Sequence, residues 1–315
     1  MEIKYPVTEL SRKLNKTAQS IHKYCSERKI EVITTKKKSY LPASSIRRYL
    51  ESFNFTYPKG VYSFQACKGG VGKTSLCYHI ATRAAQYGTK ILTIDLDMQA
   101  HLTMALLGAN HDINFPVWRD ILEGTKIEDS IIEIHPYLHL IPSSLDNSYL
   151  DRMVSQSHKV IYKKYVDDYV GKIKHNYDLI FIDCAPALSH INTAVSLASD
   201  KIFIPVNPDL FSFDGLEKTV SELQEIEKSF NKELDITIIL NRFDAREKNS
   251  LDVIASLKNK YKTNLCQTVV VVSSEIKNSI AKGESLFNMR KRPQIADDLD
   301  AIAEEIINLG DFRNA

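Results

Sequence analysis

No apolar run in the 315 residues approaches the roughly 18 that a bilayer-crossing helix needs, so no membrane span is expected. The five cysteines, Cys25, Cys67, Cys77, Cys184 and Cys266, are odd in number and form no C-x-x-C pair, which argues against a disulfide framework or a zinc finger. They read as buried, reduced thiols. The opening MEIKYPVTEL has acid, base and proline where a secretory leader needs an apolar core, so a cytoplasmic location is expected. Histidines such as His79 and His190 lack metal-ligand spacing and read as structural. With 43% hydrophobic and 25% charged residues, a disordered or fibrous chain is excluded in favour of one large α/β domain plus a small one.

Net charge is also scarce, at +2, but it is unevenly spread. Residues 1–60 hold 13 Lys and Arg against 5 Asp and Glu, a net of +8, leaving 28 against 34, or −6, for the remainder. A basic segment on a mildly acidic body suggests a polyanion-binding appendage, with a solvated basic face as the alternative.

Val7, Leu10 and Leu14 follow helical spacing, and a second helix is expected from Thr17, as N-cap, to Arg28, with Ile21, Tyr24 and Cys25 on one face. EVITT and SYLPA flank Lys36, Lys37 and Lys38 as two strands flank a basic turn, and Pro42 can open a third helix carrying Ile46, Tyr49 and Leu50. This order resembles a MerR-like winged helix-turn-helix over residues 1–52. Gln19, Ser20, His22 and Lys23 would then face a DNA major groove and the lysine turn would meet phosphates. A docking or dimerisation module fits the same pattern. Residues 53–60 read as a linker, and the body over 61–315 is expected to fold without residues 1–52.

The body opens with a strand, then Cys67-Lys68-Gly69-Gly70-Val71-Gly72-Lys73-Thr74-Ser75, then a helix ending near Gly88. Strand, glycine loop and helix form the context of a phosphate loop. Gly69, Gly70 and Gly72 let backbone N–H groups turn toward phosphate oxygens, Lys73 would neutralise the β- and γ-phosphates, and Thr74 would ligate Mg²⁺. The first glycine of the strict G-x-x-x-x-G-K-[ST] pattern is replaced by Cys67, and Lys68 begins the loop instead. Asp183 ends the apolar run Leu179–Ile182, where its carboxylate can hold Mg²⁺ or cap a turn. Asp95 and Asp97, two apart at a strand end, would project toward the metal and γ-phosphate or form a turn.

The deviant Walker A sequence KGGVGKTS, with ILTIDLDMQAHLT, YDLIFIDCAP, IFIPVNPDLFSFDGLEKT and IILNRFDAR in order, resembles the ParA/MinD family of dimerising ATPases, and its ParA branch in particular. The resemblance runs from about Val61 to Asn308. It implies ATP and Mg²⁺ as ligands, Asp97 as the residue serving the attacking water, Asp95 as support for loop and metal, and Lys68 as a lysine reaching the phosphates of a partner in an ATP-sandwich homodimer. Two family prolines are missing, at Met98 and Ala185, which alters loop stiffness but removes no functional group. Asn241 is the candidate for adenine contact, with turn formation as the alternative.

Alternating strands and helices give a doubly wound, mainly parallel sheet, with strands near 61–66, 91–95, 178–183, 201–206, 236–240 and 268–272. Leu216, Val220, Leu223, Ile226 and Phe230 form a core stripe on the helix after Asp214-Gly215. The resemblance implies a DNA-binding, DNA-partitioning or positioning ATPase, nucleoid-associated, weak until stimulated by a ParB-like centromere-binding partner and able to repress its own operon. The alternatives are a regulator using ATP as a conformational switch and a MinD-like membrane positioner, the latter disfavoured by the acidic C-terminal DDLDAIAEEIINLG. Lys277, Lys282, Arg290, Lys291 and Arg292 lie where ParA proteins carry non-specific DNA-binding residues, though a solvated charge run reads the same way.

Overall fold

The protein is described by a computed structural model covering residues 3–36, 38–108, 115–155, 168–282, 285–289 and 291–310. Strands β1 (Lys4–Pro6), β2 (Ile33–Thr34) and β3 (Ser39–Pro42) form a small antiparallel sheet in the order β1-β3-β2. The main sheet contains β4 (Gly60–Phe64), β5 (Ile91–Asp95), β6 (Ile132–His135), β7 (Leu138–Ile141), β8 (Leu179–Asp183), β9 (Lys201–Val206) and β10 (Ile236–Leu240). Its order is β10-β9-β4-β8-β5-β7-β6, parallel except for β6 against β7. Helices cover both faces, so central strands such as ILTID and LIFID are buried at every position and read as continuous apolar runs.

The topology gathers chemistry at one edge. In the parallel register Phe64 pairs with Asp183, and Asp183 with Asp95, so both carboxylates finish beside the loop that follows β4. Two sequence expectations need correction. The β6–β7 hairpin was not anticipated as a pair of strands. Residues 268–272 form no strand of the sheet, only a bridge between Phe243 and Val271. Arg242 takes φ +55 just after β10, which breaks the pleat, and the Val271 N–H goes to Asp298 Oδ2 at 3.0 Å.

Helices Val7–Lys13, Ala18–Glu27 and Ala43–Glu51 pack with the small sheet, and the Thr17 side chain accepts from Ser20 N at 3.1 Å to cap the second. Leu10, Ile21, Leu41, Ile46 and Leu50 share one core with Leu76, Tyr78, Leu299 and Ile302 of the body. The segment read as a linker is packed as well. Phe55 and Tyr57 are buried, and the Tyr57 hydroxyl donates to Tyr87 O at 2.7 Å.

Two polar contacts clamp the small sheet and its helices to the body. At Gly88, φ is +84, and a Cβ there would lie 2.8 Å from Ala43 O and Arg47 N, so glycine permits both the turn and the close approach. Arg47 donates to Gly88 O at 3.0 Å and to Asp178, which also receives Lys59 Nζ and Lys90 N, each at 2.7 Å. The second contact is a buried ion cluster. Arg83, fully buried on helix Lys73–Gln86, donates to Asp300 Oδ1 at 2.6 Å, to the Tyr5 hydroxyl at 3.0 Å and to Glu9. Arg292 joins Glu9 to Asp300, while Lys13 pairs with Asp300 at 2.8 Å and Glu304 at 2.6 Å. The Tyr87 hydroxyl lies 2.8 Å from Asp300 and 2.7 Å from Glu304. Of the acidic residues of helix Gln294–Ile306, Asp298, Asp300 and Glu304 are therefore buried, while Asp297 and Glu305 are exposed.

Candidate functional site

The phosphate loop leaves β4 and enters helix Lys73–Gln86 through Gly72 at φ +99, with Gly70 at φ +77. Neither angle suits a residue with a Cβ, and a Cβ on Gly72 would come within 2.2 Å of Asn241 Nδ2. A cavity of about 920 Å³ opens over the loop, lined by Gly69, Gly70, Gly72, Lys73, Thr74 and Ser75, with Asp97 and Gln99 opposite. The arrangement presents backbone donors, a lysine and a hydroxyl at a helix N-terminus, which suits a polyphosphate.

Asp183 is fully buried, and neither carboxylate oxygen has a hydrogen-bond partner among the described residues. Burial, then the nearby Asp95 charge, pushes its pKa well above the ordinary carboxylate range, against the opposing pull of Thr74 and Lys73. An orphaned carboxylate beside a hydroxyl and a polyphosphate cradle is what a hard cation would satisfy. Among the described residues no group of three or more His, Cys, Asp or Glu side chains could hold a metal alone. A cation here would thus depend on oxygens from its ligand and water as well as Thr74 and Asp183, the usual habit of Mg²⁺. Lys73 is buried, which lowers its pKa, with Asp183 as the largest opposing influence.

Asp95, counted with the metal residues from the sequence, is held by protein donors at both oxygens. Its Oδ1 accepts from Asp97 N at 3.1 Å, and its Oδ2 accepts from Thr103 N at 2.9 Å and Thr103 Oγ1 at 2.7 Å. The residue is fully buried, and burial raises its pKa to about 7 against those hydrogen bonds. It braces the stretch that carries Asp97. Asp97 does line the cavity, and its Oδ1 accepts from Gln99 N at 3.0 Å.

Asn241, the candidate for adenine contact, also supports the phosphate loop, and its Oδ1 has no hydrogen-bond partner among the described residues. Its Nδ2 donates to Val71 O at 2.7 Å and the residue is buried against Gly72, so it fixes the phosphate loop from behind. The sequence did not reveal that Arg242, Lys277, His101 and Met104 line the same cavity. In the sequence Lys277 belongs to a series of basic residues, and no local pattern distinguishes it.

Lys68 is absent from the cavity lining. Its Nζ lies 3.2 Å from Asp209 Oδ1, 3.0 Å from Ser212 Oγ and 5.7 Å from the Phe211 ring centroid. Helix Leu210–Phe230 begins earlier than Asp214-Gly215 because Asp209 caps it by accepting from Ser212 N at 2.8 Å. Beside Lys68, Leu210 and Phe211 are 76% and 79% exposed. Far along the chain, Gln19 and Lys23 are exposed on helix Ala18–Glu27, and Lys36 and Lys38 on the turn between β2 and β3. Lys37 and Arg290 lie outside the described residues. Arg292 is held in the ion cluster.

A P-loop at the carboxyl edge of a doubly wound sheet defines a nucleoside-triphosphate-binding class. The chain belongs to the AAA domain family, whose model matches residues 60–236, and is a P-loop ATPase of the ParA/MinD type. It is 26% identical over 277 residues to the cell division protein PomZ of Myxococcus xanthus, covering 87% of this chain and 86% of that one. It is 25% identical over 251 residues to the sporulation initiation inhibitor protein Soj of Bacillus subtilis, covering 76% and 94%. An ATP complex of a Cyanothece McdA variant superposes with a TM-score of 0.71 at 20% identity, covering 80% of this chain and 97% of that one. Among the described residues no helix is long and apolar enough to cross a membrane.

Proposed function

We propose that the chain is a Mg²⁺-dependent ATPase that dimerises around ATP, binds DNA and partitions or positions a plasmid or chromosomal cargo. Its turnover is weak until a ParB-like centromere-binding partner stimulates it, and it works in the cytoplasm on the nucleoid. The observation that carries the reading is the position of Lys68: a loop lysine that stays out of its own cavity, next to exposed Leu210 and Phe211, can serve phosphates held by a second copy.

Lys73 and the loop N–H groups would hold the β- and γ-phosphates, and Thr74 and Asp183 would hold Mg²⁺, which when bound withdraws charge from the phosphate oxygens. Asp97 orients the attacking water and accepts its proton. Gln19 and Lys23 with Lys36, Lys37 and Lys38 form the DNA surface, the first pair reading bases and the lysines meeting phosphates.

Sedimentation of Lys68→Ala with ATP tests the dimer: the expected result is a monomer that still binds nucleotide, and a normal ATP-dependent dimer would defeat the reading. A salt titration of DNA binding tests the front surface, since log K should fall with log salt by about 0.9 for each phosphate neutralised. Removing Lys36, Lys37 and Lys38 charges together should flatten that slope. The alternative, a regulator with ATP as its switch, is favoured by the tight docking of residues 3–52 on the body through Arg47 and Glu9. Partner-stimulated hydrolysis would decide for the partition reading.

A further inference from the structure

Asp97 sits in a short irregular stretch between β5 and helix His101–Leu107, so its placement depends on what holds its backbone. Its N–H goes to Asp95, as described above. Its carbonyl accepts from Ala100 N at 2.8 Å and from Ser143 Oγ at 2.7 Å. Ser143 lies just past β7, fully buried, and its own N–H donates to Thr103 Oγ1 at 2.9 Å. The bonds close a ring from Asp95 through Thr103 and Ser143 to Asp97 and back. Asn147, 4% exposed, then donates from Nδ2 to Ser143 Oγ at 2.7 Å, while its Oδ1 accepts from Arg119 N at 3.2 Å.

The direction of these bonds matters. A hydroxyl has one proton, and with the Asn147 amide donating to it, Ser143 spends that proton on Asp97 O. The backbone donor Arg119 N fixes the amide orientation, because only the oxygen of Asn147 can face it. None of Thr103, Ser143 or Asn147 lines the cavity, and all three are buried behind Asp97 in the hydrogen-bond ring. We infer that Ser143 and Asn147 are positioning residues for ATP hydrolysis, a buried pair whose directed hydrogen bonds hold the Asp97 backbone in register with the phosphate loop. This rests on the assignment of Asp97 to the attacking water. Because an ångström of misplacement in a catalytic group can cost up to about a hundredfold in rate, the pair should act on turnover and leave binding alone.

The test is single-turnover hydrolysis of Mg-ATP by the full chain, with nucleotide affinity and thermal unfolding measured on the same samples. Ser143→Ala removes the support. Asn147→Asp keeps the shape, but its carboxylate cannot donate and would draw the Ser143 proton away from Asp97. Ser143→Thr retains the hydroxyl. The expected result is a roughly tenfold lower hydrolysis rate in Ser143→Ala and Asn147→Asp, nucleotide affinity within about twofold of the parent, and recovery in Ser143→Thr. Adding Ser143→Ala to Asp97→Asn should lower the rate no further, since the two act as one unit. Parental turnover in both Ser143→Ala and Asn147→Asp, with Asp97→Asn inactive, would overturn the inference and leave the Asp97 assignment standing. Parallel loss of affinity, melting temperature and turnover would reduce the pair to a structural role and also overturn it. Parental turnover in Asp97→Asn would overturn the assignment of Asp97 itself. Should Ser143→Ala lose its cooperative unfolding transition, Asn147→Asp decides by the same criteria.

Discussion

Helix Lys73–Gln86 holds a buried cation near each end, and the surroundings of the two differ in kind. Around Lys73 stand Asp183, with no hydrogen-bond partner among the described residues, and a cavity of about 920 Å³. Around Arg83 every carboxylate is paired: Asp300 alone meets Arg83, Arg292, Lys13 and Tyr87. Burial pushes both acids upward, yet Arg83 and Lys13 hold Asp300 well below the ordinary carboxylate range while Asp183 stays well above it. A ligand site keeps polar capacity unused in the folded chain, whereas an internal joint uses all of it. The contrast identifies the first end as the place for a ligand and the second as a permanent seam between the N-terminal residues and the body.

The largest test of the seam is deletion of residues 1–52. Removing Tyr5, Glu9 and Lys13 uncovers Arg83 and Asp300 and the apolar core they border, so the truncated body should lose at least about 5 kcal/mol or its cooperative unfolding altogether. Urea melts of both lengths measure this, and equal stability would show the seam to be superficial. This reverses the expectation from sequence that the body folds alone. The single change Asp300→Asn should cost about 3–5 kcal/mol, because it leaves Arg83 buried and underpaired.

At the other end, Lys73→Ala should weaken ATP binding by a hundredfold or more, about 3 kcal/mol, with little loss of folding stability, whereas Asp97→Ala should bind ATP and fail to hydrolyse it. Calorimetry with Mg-ATP separates the two. Asp183→Asn sharpens the comparison most finely: removing a buried carboxylate without a partner should stabilise the nucleotide-free protein by about 1 kcal/mol while impairing Mg²⁺-dependent binding.

The two acids should also oppose one another with pH. The Asp300 contribution is complete above the ordinary carboxylate range and is lost as pH falls through its depressed folded value, so the parent should weaken below about pH 4 and Asp300→Asn should show a flatter profile. Asp183 has a raised folded value, so its penalty is relieved as pH falls through that value. The gain from Asp183→Asn should therefore be present near pH 8 and vanish in acid.

The same contrast explains what the sequence disclosed. The phosphate loop is contiguous, and its glycines and Lys73 are demanded by backbone geometry within a few residues, so nearby positions suffice to recognise it. Asp183 follows from the end of a buried strand. Asp95 and Asp97, two residues apart, look equivalent in the sequence, and only Thr103, which donates to Asp95 Oδ2, tells them apart. The support that Asn241 gives the loop was hidden because its partner, Val71, lies 170 residues earlier. Ser143 and Asn147 follow β7, a strand of the hairpin that the periodicity did not mark. Arg83 looked like one more polar residue on an apolar helix, since its partners come from both ends of the chain.

That last fact sets an order on synthesis. Glu9 is 74 residues from Arg83, Asp300 is 217 residues beyond it, and Arg292 is 283 residues from Glu9. The phosphate loop and the strands around it are complete once β10 has left the ribosome, but the buried arginine then still lacks Asp300. Until helix Gln294–Ile306 emerges, Arg83 lacks its Asp300 partner, and pairing the two closes a loop of 217 residues. Emergence of that helix, more than any signal from the pocket, is what brings Asp300 to Arg83 and Glu9.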